Sequence, residues 1–578
     1  MCGITALFAY RSTEVDPAEV EAITARMIPR GPDAGGTWLS PDARVGLGSR
    51  RLAIIDLSDE GTQPMWDVER ELVIVFNGEI YNYAELRASL ERSGARFHSR
   101  SDTEVLLQLY RRDGQRMVGL LRGMYAFALW DTRTRRLFVA RDPYGIKPLY
   151  VADDGATFRM ASEVKALLAG GKVSHAIDPA GAAGFFLTGS VPDPFTIRRD
   201  VRAVEAGTSF FVDEDRGVLD VRRHYSIAEI FLKATEQASL VDARVYLRER
   251  IEESVAQHLV SDVPVGVFLS AGVDSSALTS IAAHLSPEPL RTFTLAFEEF
   301  RGREDDESPL AARFAKETGT LHTTRVVTRE EFLADLPRLF ERMDQPTIDG
   351  VNTWFISKAV HEAGVKVALS GLGGDELFGG YPSFTNVPKM IRLARLPFAA
   401  AAAGLVLRHP KTKLIPRHGG TWAGAWFLQR GLFMPDELPE LLGERLAAEG
   451  LEKLGIYDQI DRVIQPDPGT AFGRVATMEA SLYMRNQLLR DADWASMAHS
   501  VEVRTPLVDA ALLRQVAPLL LECRRDCKEV LAAILPPWLR DRDKTGFFVP
   551  MRQWMDLPPD GTSTRMRSWA RHVAQQMF

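Results

Sequence analysis

The chain has 578 residues, of which 46% are hydrophobic and 25% charged, with a formal net charge of −7. So long a chain of ordinary globular composition calls for two or more domains. The acidic balance argues against a general nucleic-acid or anionic-membrane binder. The first apolar stretch, 4–10, is short and has no basic lead-in, so no signal peptide is expected. The longest apolar stretch lies between Arg395 and Arg408 and contains Pro397, too short to span a bilayer. A cytoplasmic protein without a membrane span is expected. The three cysteines, Cys2, Cys523 and Cys527, form no disulfide framework and fit a reducing compartment. Cys523 and Cys527 have no companion ligands for a metal and read as small apolar residues.

The chain opens Met1-Cys2-Gly3-Ile4. Removal of the initiator methionine leaves Cys2 with both a thiol (pKa about 8.5) and an α-amine (pKa about 8). That pairing suits N-terminal nucleophilic catalysis, in which the amine serves as base for the first side chain. Met-Cys starts are common by chance, so the dipeptide alone carries little. Residues 1 to about 215 then read as short strands broken by Gly, Pro and Asp. The apolar run 72–76 ends in Asn77-Gly78, a turn pair. Runs at 125–130 and 137–140 flank a polar turn and predict a hairpin. Helices are expected over 84–93 and 103–112, giving an α+β region with antiparallel sheets. A charged, apolar-poor stretch over 216–242 reads as a connector.

Beyond it the pattern changes. Apolar runs at 263–269, 292–297 and 365–369 alternate with helical segments, predicting a parallel sheet covered by helices. From about residue 385 the pattern is mainly helical. The first run enters Ser270-Ala271-Gly272-Val273-Asp274-Ser275-Ser276 and then a helix. A strand, a loop of small residues and a helix start present free backbone N–H groups and a helix dipole to an anion. Asp274 can ligate Mg²⁺. No Gly-Lys-Ser/Thr follows, so this is not a Walker loop. The third run ends in Ser370-Gly371-Leu372-Gly373-Gly374-Asp375-Glu376-Leu377-Phe378-Gly379-Gly380. So many glycines are costly unless the backbone passes close to a ligand. Asp375 is a second Mg²⁺ candidate.

With these loops and the opening cysteine go Arg30-Gly31-Pro32-Asp33, Arg51-Leu52-Ala53-Ile54-Ile55-Asp56, Asn77-Gly78-Glu79-Ile80-Tyr81-Asn82 and Ser101-Asp102-Thr103-Glu104. Further along stand the segment 141–150, Glu502-Val503-Arg504-Thr505-Pro506 and Lys544-Thr545-Gly546-Phe547. Taken together and in order, they make the chain resemble the glutamine-hydrolysing asparagine synthetases over essentially its whole length. The resemblance implies an N-terminal-nucleophile glutaminase (1–215, an αββα-type sandwich of antiparallel sheets). A connector (216–242), an ATP pyrophosphatase domain (243–555, α/β with a mainly helical C-terminal part) and a tail (556–578) follow. It implies ATP and Mg²⁺ as cofactors, glutamine and an acceptor carboxylate as substrates, and a homodimer. By the same resemblance Cys2 is the nucleophile, and Asn77 with the N–H of Gly78 is the oxyanion hole. Arg51, Ile54, Ile55, Glu79 and Asp102 bind glutamine, the opposite charges of Arg51 and Asp102 suiting the two ends of an amino acid. Phe268, Ser270, Leu295, Ser370 and Gly371 match nucleotide contacts. Gly272, Asp274, Ser275 and Ser276 match pyrophosphate contacts, and Asp274 and Asp375 the Mg²⁺ ligands. Lys544 matches a lysine that stabilises charge during acyl transfer. Segment 123–129 matches the wall of an ammonia tunnel, and a plain core strand explains it equally. Glu502 and Arg504 match positions near the acceptor site, and an internal ion pair explains them equally.

One position departs. The family pattern after Ser-Gly is glutamate, which accepts a proton as ammonia attacks; here it is Leu372. Another carboxylate such as Glu376 or Asp349 takes that role, or no base is needed, or the acceptor is not aspartate. The leading expectation is amidation of aspartate to asparagine. The alternatives are the same chemistry on another carboxylic acid, such as a uronate of a surface polysaccharide or a secondary-metabolite precursor, and a non-catalytic nucleotide-binding relative.

Overall fold

Strands of the N-terminal region bury both faces, so they stack as two sheets with helices outside. The computed structural model describes residues 2–236, 243–303, 306–395, 411, 414–523, 525–542, 549–558 and 566–578. The strands in chain order are β1 (Cys2–Phe8), β2 (Ala34–Leu39), β3 (Val45–Arg51), β4 (Met65–Trp66), β5 (Leu72–Ile80) and β6 (Gly123–Asp131). They continue as β7 (Arg136–Arg141), β8 (Tyr150–Asp153), β9 (Phe158–Ala161), β10 (Arg202–Ala203), β11 (Thr208–Asp213) and β12 (Gly217–Arg223). One sheet runs β10-β8-β9-β1-β3-β2 and the other β12-β11-β7-β6-β5-β4. Ile4, Phe8, Leu47, Val75, Ala128 and Val139 meet between them. Helices Pro17–Arg26 and Val164–Ala169 cover the first sheet, and Tyr83–Arg92 and Asp102–Asp113 the second. This is the expected αββα layering, and the 125–140 hairpin forms as β6 and β7.

Two local expectations are corrected. Asn77-Gly78 is not a turn: β6 offers a partner along its whole length, so Asn77 pairs with Ala126 and Gly78 with Tyr125. The glycine is still required, because a Cβ at Gly78 (φ +155) would lie 2.1 Å from the Met124 carbonyl oxygen. Residues 217–223, expected in a connector, form β12 at the sheet edge, and helix Ile227–Ala234 follows with an apolar face.

In the second region, β13 (Val265–Phe268), β14 (Arg291–Phe297), β15 (Leu321–Val327), β16 (Val367–Leu369) and β17 (Glu502–Arg504) form a parallel sheet in the order β15-β14-β13-β16-β17. The chain proceeds from β13 to one side and returns through β16 on the other. The loops after β13 and β16 therefore flank the switch point where such sheets bind ligands. The rest is mainly helical. Its longest continuous run joins Ala471–Met478, an i→i+5 (π-helical) segment Glu479–Leu489, and Arg490–Met497. The expected tail contains helix Arg567–Met577, which buries Trp569, Ala570 and Val573 in the core. Its apolar stripe had to find a partner surface. Among the described residues no helix is long and apolar enough to cross a membrane.

Candidate active sites

Cys2 begins β1, and the β1–β3 register sets it opposite Arg51. Its side chain is buried. The Cys2 backbone nitrogen donates to Asn77 Oδ1 at 3.0 Å. That bond fixes the Asn77 amide orientation, since only the oxygen can accept it. The Nδ2 donor of Asn77 is then buried without a partner among the described residues, so a hydrogen-bond donor stands uncommitted beside Cys2. Burial pushes the Cys2 thiol up, opposed by the Leu52 backbone N–H and the Arg51 charge.

Arg51 donates to the carbonyls of Ser58 (2.9 Å), Ile55 (3.3 Å) and Asp56. These neutral acceptors orient the guanidinium without cancelling its charge. The Ile54 carbonyl is held by the Asp262 N–H at 3.0 Å, and Asp262 accepts from the Asp56 N–H at 2.8 Å. The glutaminase loop 52–58 is thereby pinned by the second region. Asp102 opens helix Asp102–Asp113 and accepts the Ile80 N–H at 3.0 Å. Burial raises its carboxyl to about 6 despite that bond. Glu79 behaves differently. Burial, then Glu502 and Asp102, push its carboxyl well above the usual range, with Arg504 opposing. Its oxygen lies 3.7 Å from Arg504, which pairs with Glu502 at 2.5 Å. Arg504 also donates to the carbonyls of His258 and Val260. Glu502 and Arg504 thus form the internal ion pair, and that pair abuts the glutaminase at Glu79.

Of segment 123–129, Met124 alone joins the apolar cluster shared by the two regions, with Leu52, Ile54, Tyr144, Leu489 and Met497. Ala126 and Ala128 face the core between the sheets, while Tyr125, Phe127 and Leu129 face the outer helices. The strand alternation leaves Met124 as its one contribution to apolar packing between the sites.

The loop after β13 enters helix Val273–Leu285, whose N-cap Gly272 supplies no side-chain cap. Ser270 and Ser275 hydroxyls bond each other at 2.8 Å. A Cβ at Gly371 would lie 3.0 Å from the Ser275 nitrogen, and one at Gly374 2.6 Å from Asp274 Cγ. The second loop's glycines are therefore used to pack it against the first, not only to approach a ligand. A cavity of about 650 Å³ opens over both loops. Phe268, Ser270, Gly272, Asp274, Ser275 and Leu295 line it, as do Ser370 and Gly371. Ser276 does not: it is buried beneath, bonding the Ser270 carbonyl at 3.2 Å. Lys528 Nζ lies 3.1 Å from Asp375 and 3.6 Å from Asp274. Sequence reasoning missed Lys528, which nothing local distinguishes from a surface lysine. Lys544 lies outside the described residues.

Residues 1–225 match the family model described as glutamine amidotransferase domain, and residues 246–576 the one described as asparagine synthase. The chain is 31% identical to asparagine synthetase (glutamine-hydrolyzing) 1 of Bacillus subtilis over all of its length and 90% of that protein. The chain belongs to the asparagine synthetase family. A putative asparagine synthetase (glutamine-hydrolyzing) of Mycobacterium tuberculosis is 32% identical over 96% of this chain and 88% of its own. The Amidase chry2 of Gibberella zeae is 32% identical over 66% of this chain and 60% of its own. This family member is accordingly an amidotransferase enzyme.

Within that family frame, the carboxylates that could stand in for the glutamate replaced by Leu372 separate by location. Leu372 lines the cavity over the two loops, and so do Asp349 and Asp491. Glu376 faces elsewhere, bonded by the Tyr381 hydroxyl at 2.9 Å and raised to about 7 by burial. It lines a small separate pocket with Tyr144 and Phe231. Burial also raises Asp349, against the Gly350 N–H. Burial and then Asp349 push Asp491 well above the carboxylate range, though Trp494 and Thr347 donate to it.

Proposed function

We propose that the protein moves ammonia from glutamine to an adenylated carboxylate, consuming ATP and releasing glutamate, AMP and pyrophosphate. The observation that carries the first half-reaction is Asn77, whose Oδ1 holds the Cys2 nitrogen while its Nδ2 is buried and unpartnered. With Met1 removed, that nitrogen becomes the α-amine, already positioned to take the thiol proton and later return it to ammonia. Cys2 Sγ attacks the glutamine amide carbon. Asn77 Nδ2 and the Gly78 N–H receive the developing oxyanion, a contribution of roughly 3–4 kcal/mol per donor. Arg51 takes the substrate α-carboxylate and Asp102 its α-ammonium; Glu79 is drawn toward Arg504 and acts less directly.

Ammonia passes along the shared apolar cluster around Met124, Leu489 and Met497. The N–H groups over Gly272–Ser275 hold phosphate. Asp274 and Asp375, converging on Lys528, suit Mg²⁺, which takes one or two carboxylates and completes its shell with phosphate and water. Bound there, Mg²⁺ supplies charge neutralisation for departing pyrophosphate. Asp349, raised by burial and lining the same cavity as Leu372, accepts the proton from attacking ammonia. The test compares glutamate release from glutamine by wild type and Cys2→Ala, each also supplied with ammonia. Loss of glutamate release in Cys2→Ala, with ammonia-driven pyrophosphate release kept, is the expected result. A wild type releasing no more glutamate than Cys2→Ala would remove the first half-reaction.

A further inference from the structure

A second cavity of about 850 Å³ adjoins the nucleotide cavity, and Asp349 and Asn352 line both. Aspartate has nine heavy atoms. At about 30 Å³ each, the share of a water molecule in the liquid, they fill only about a third of that space.

The walls change character away from the junction. At the junction stand Asp349, Asn352 and Gln487. Beyond it, helix Trp422–Arg430 contributes Trp426 and Leu428 beside Gln429, and helix Ile456–Val463 contributes Ile456 and Ile460 beside Gln459. The π-helical segment adds Leu482 and Tyr483. Its wider turn sets Leu482, Tyr483, Asn486 and Gln487 all along one cavity, which a regular α-helix would spread more widely around its axis.

Of the cations in this wall, Arg430 and Lys411 have partners already, and Lys389 is exposed to solvent. Arg430 pairs with Glu479 at 2.7 Å and sits over the rings of Tyr381 and Tyr483, 4.3 and 3.8 Å from their centroids. Lys411 donates to the Gly431 carbonyl. Aspartate, by contrast, brings a second carboxylate that calls for a cation in the acceptor site. Leu372 adds a further apolar surface where the family pattern has an acid.

We propose that the acceptor is a carboxylic acid with a large, mainly apolar body, its carboxylate at the Asp349–Asn352 junction and its body in the adjoining cavity. The inference rests on the amidotransferase reading and names its substrate class. The cavity accommodates up to about 28 heavy atoms at the same share per atom, the range of a drug-sized ligand. The acid's carboxylate oxygen attacks the α-phosphorus of ATP and displaces pyrophosphate. Ammonia then forms the C–N bond as the C–O bond to AMP breaks, and Asp349 takes the proton.

The test measures pyrophosphate and glutamate release by the full chain with ATP, Mg²⁺ and glutamine. The acids supplied are aspartate, acetate, 4-phenylbutyrate, decanoate and N-benzyloxycarbonyl-β-alanine. At least one apolar acid is expected to raise pyrophosphate release tenfold or more over the acceptor-free rate, with aspartate at that background. Leu482→Trp, which narrows the cavity at a half-buried position, is expected to raise the KM for that acid at least tenfold and to leave basal glutamate release unchanged. Aspartate-dependent AMP formation exceeding that of every apolar acid overturns the proposal, as does silence from all the apolar acids. An unchanged KM in Leu482→Trp overturns the location. Glutamate release in the same reactions reports separately on the amidotransferase reading.

Discussion

Arg30 ties strand β1 to helix Arg490–Met497. Its guanidinium meets Asp493 through two bonds, 2.7 and 3.1 Å, and its Nε reaches the Cys2 carbonyl at 3.4 Å. The two side chains are 2% and 4% exposed. Arg30→Met strands Asp493 in the interior, and breaking a buried pair this way typically costs about 3–5 kcal/mol. Lys147 remains 3.7 Å from Asp493, which sets the expected loss near the lower end, about 3 kcal/mol. The double variant Arg30→Met/Asp493→Leu removes the stranded carboxylate but takes a partner from Lys147 and from Glu163, so it should recover only part of the loss. Thermal midpoints give the order: Arg30→Met lowest, then the double variant, then wild type. The shift is under about 6 °C, because large chains move by less than about 2 °C per kcal/mol. In both variants β1 loses its tether to helix Arg490–Met497, so glutamate released per AMP formed should rise above the wild-type ratio. Equal midpoints for the single and double variants, with an unchanged ratio, would refute the reasoning.

Asp102, raised to about 6 by burial, must be ionised to hold an ammonium. Below the limb set by the α-amine (about pH 8), the glutaminase kcat/KM should steepen below about pH 6 from tenfold toward a hundredfold per pH unit, and Asp102→Asn should lower the rate and remove that steepening. Gly78→Ala drives a Cβ to 2.1 Å from the Met124 carbonyl and should cost glutaminase activity about a hundredfold or more, while ammonia-dependent synthesis persists. Lys528→Met removes the cation between Asp274 and Asp375. It should raise the ATP KM about tenfold, equivalent to about 1.4 kcal/mol, with glutamate release at saturating glutamine unchanged.

The parts legible in the sequence were those whose physics is local. The loop after β13 joins a strand, a turn of small residues and a helix in one stretch, and the β6–β7 hairpin follows from alternation around a polar turn. Cys2, Arg51, Asn77 and Asp102 converge only through sheet register, so family resemblance rather than spacing united them. Strand β15, with mostly polar and exposed residues, carries no apolar pattern because it lies at the sheet edge. Strand β17 is Glu-Val-Arg, and its buried charges make sense only against Glu79 and the His258 carbonyl, hundreds of residues away. Asn77-Gly78 misled because a turn propensity yielded to a full-length strand partner. The π-helical segment and Lys528 have no local signature at all.

The glycines that seat the loop after β16 on Asp274 and Ser275 have a consequence for how this enzyme's chemistry can be retuned. Gly371 and Gly374 leave no slack between the two loops, so the backbone that presents position 372 is set by the loop after β13. The side chain at 372 faces the shared cavity from a fixed mount. Exchanging an acid for a leucine there alters what faces the cavity without moving either loop. In that sense position 372 is a socket, whose side chain can be exchanged while the mount stays in place.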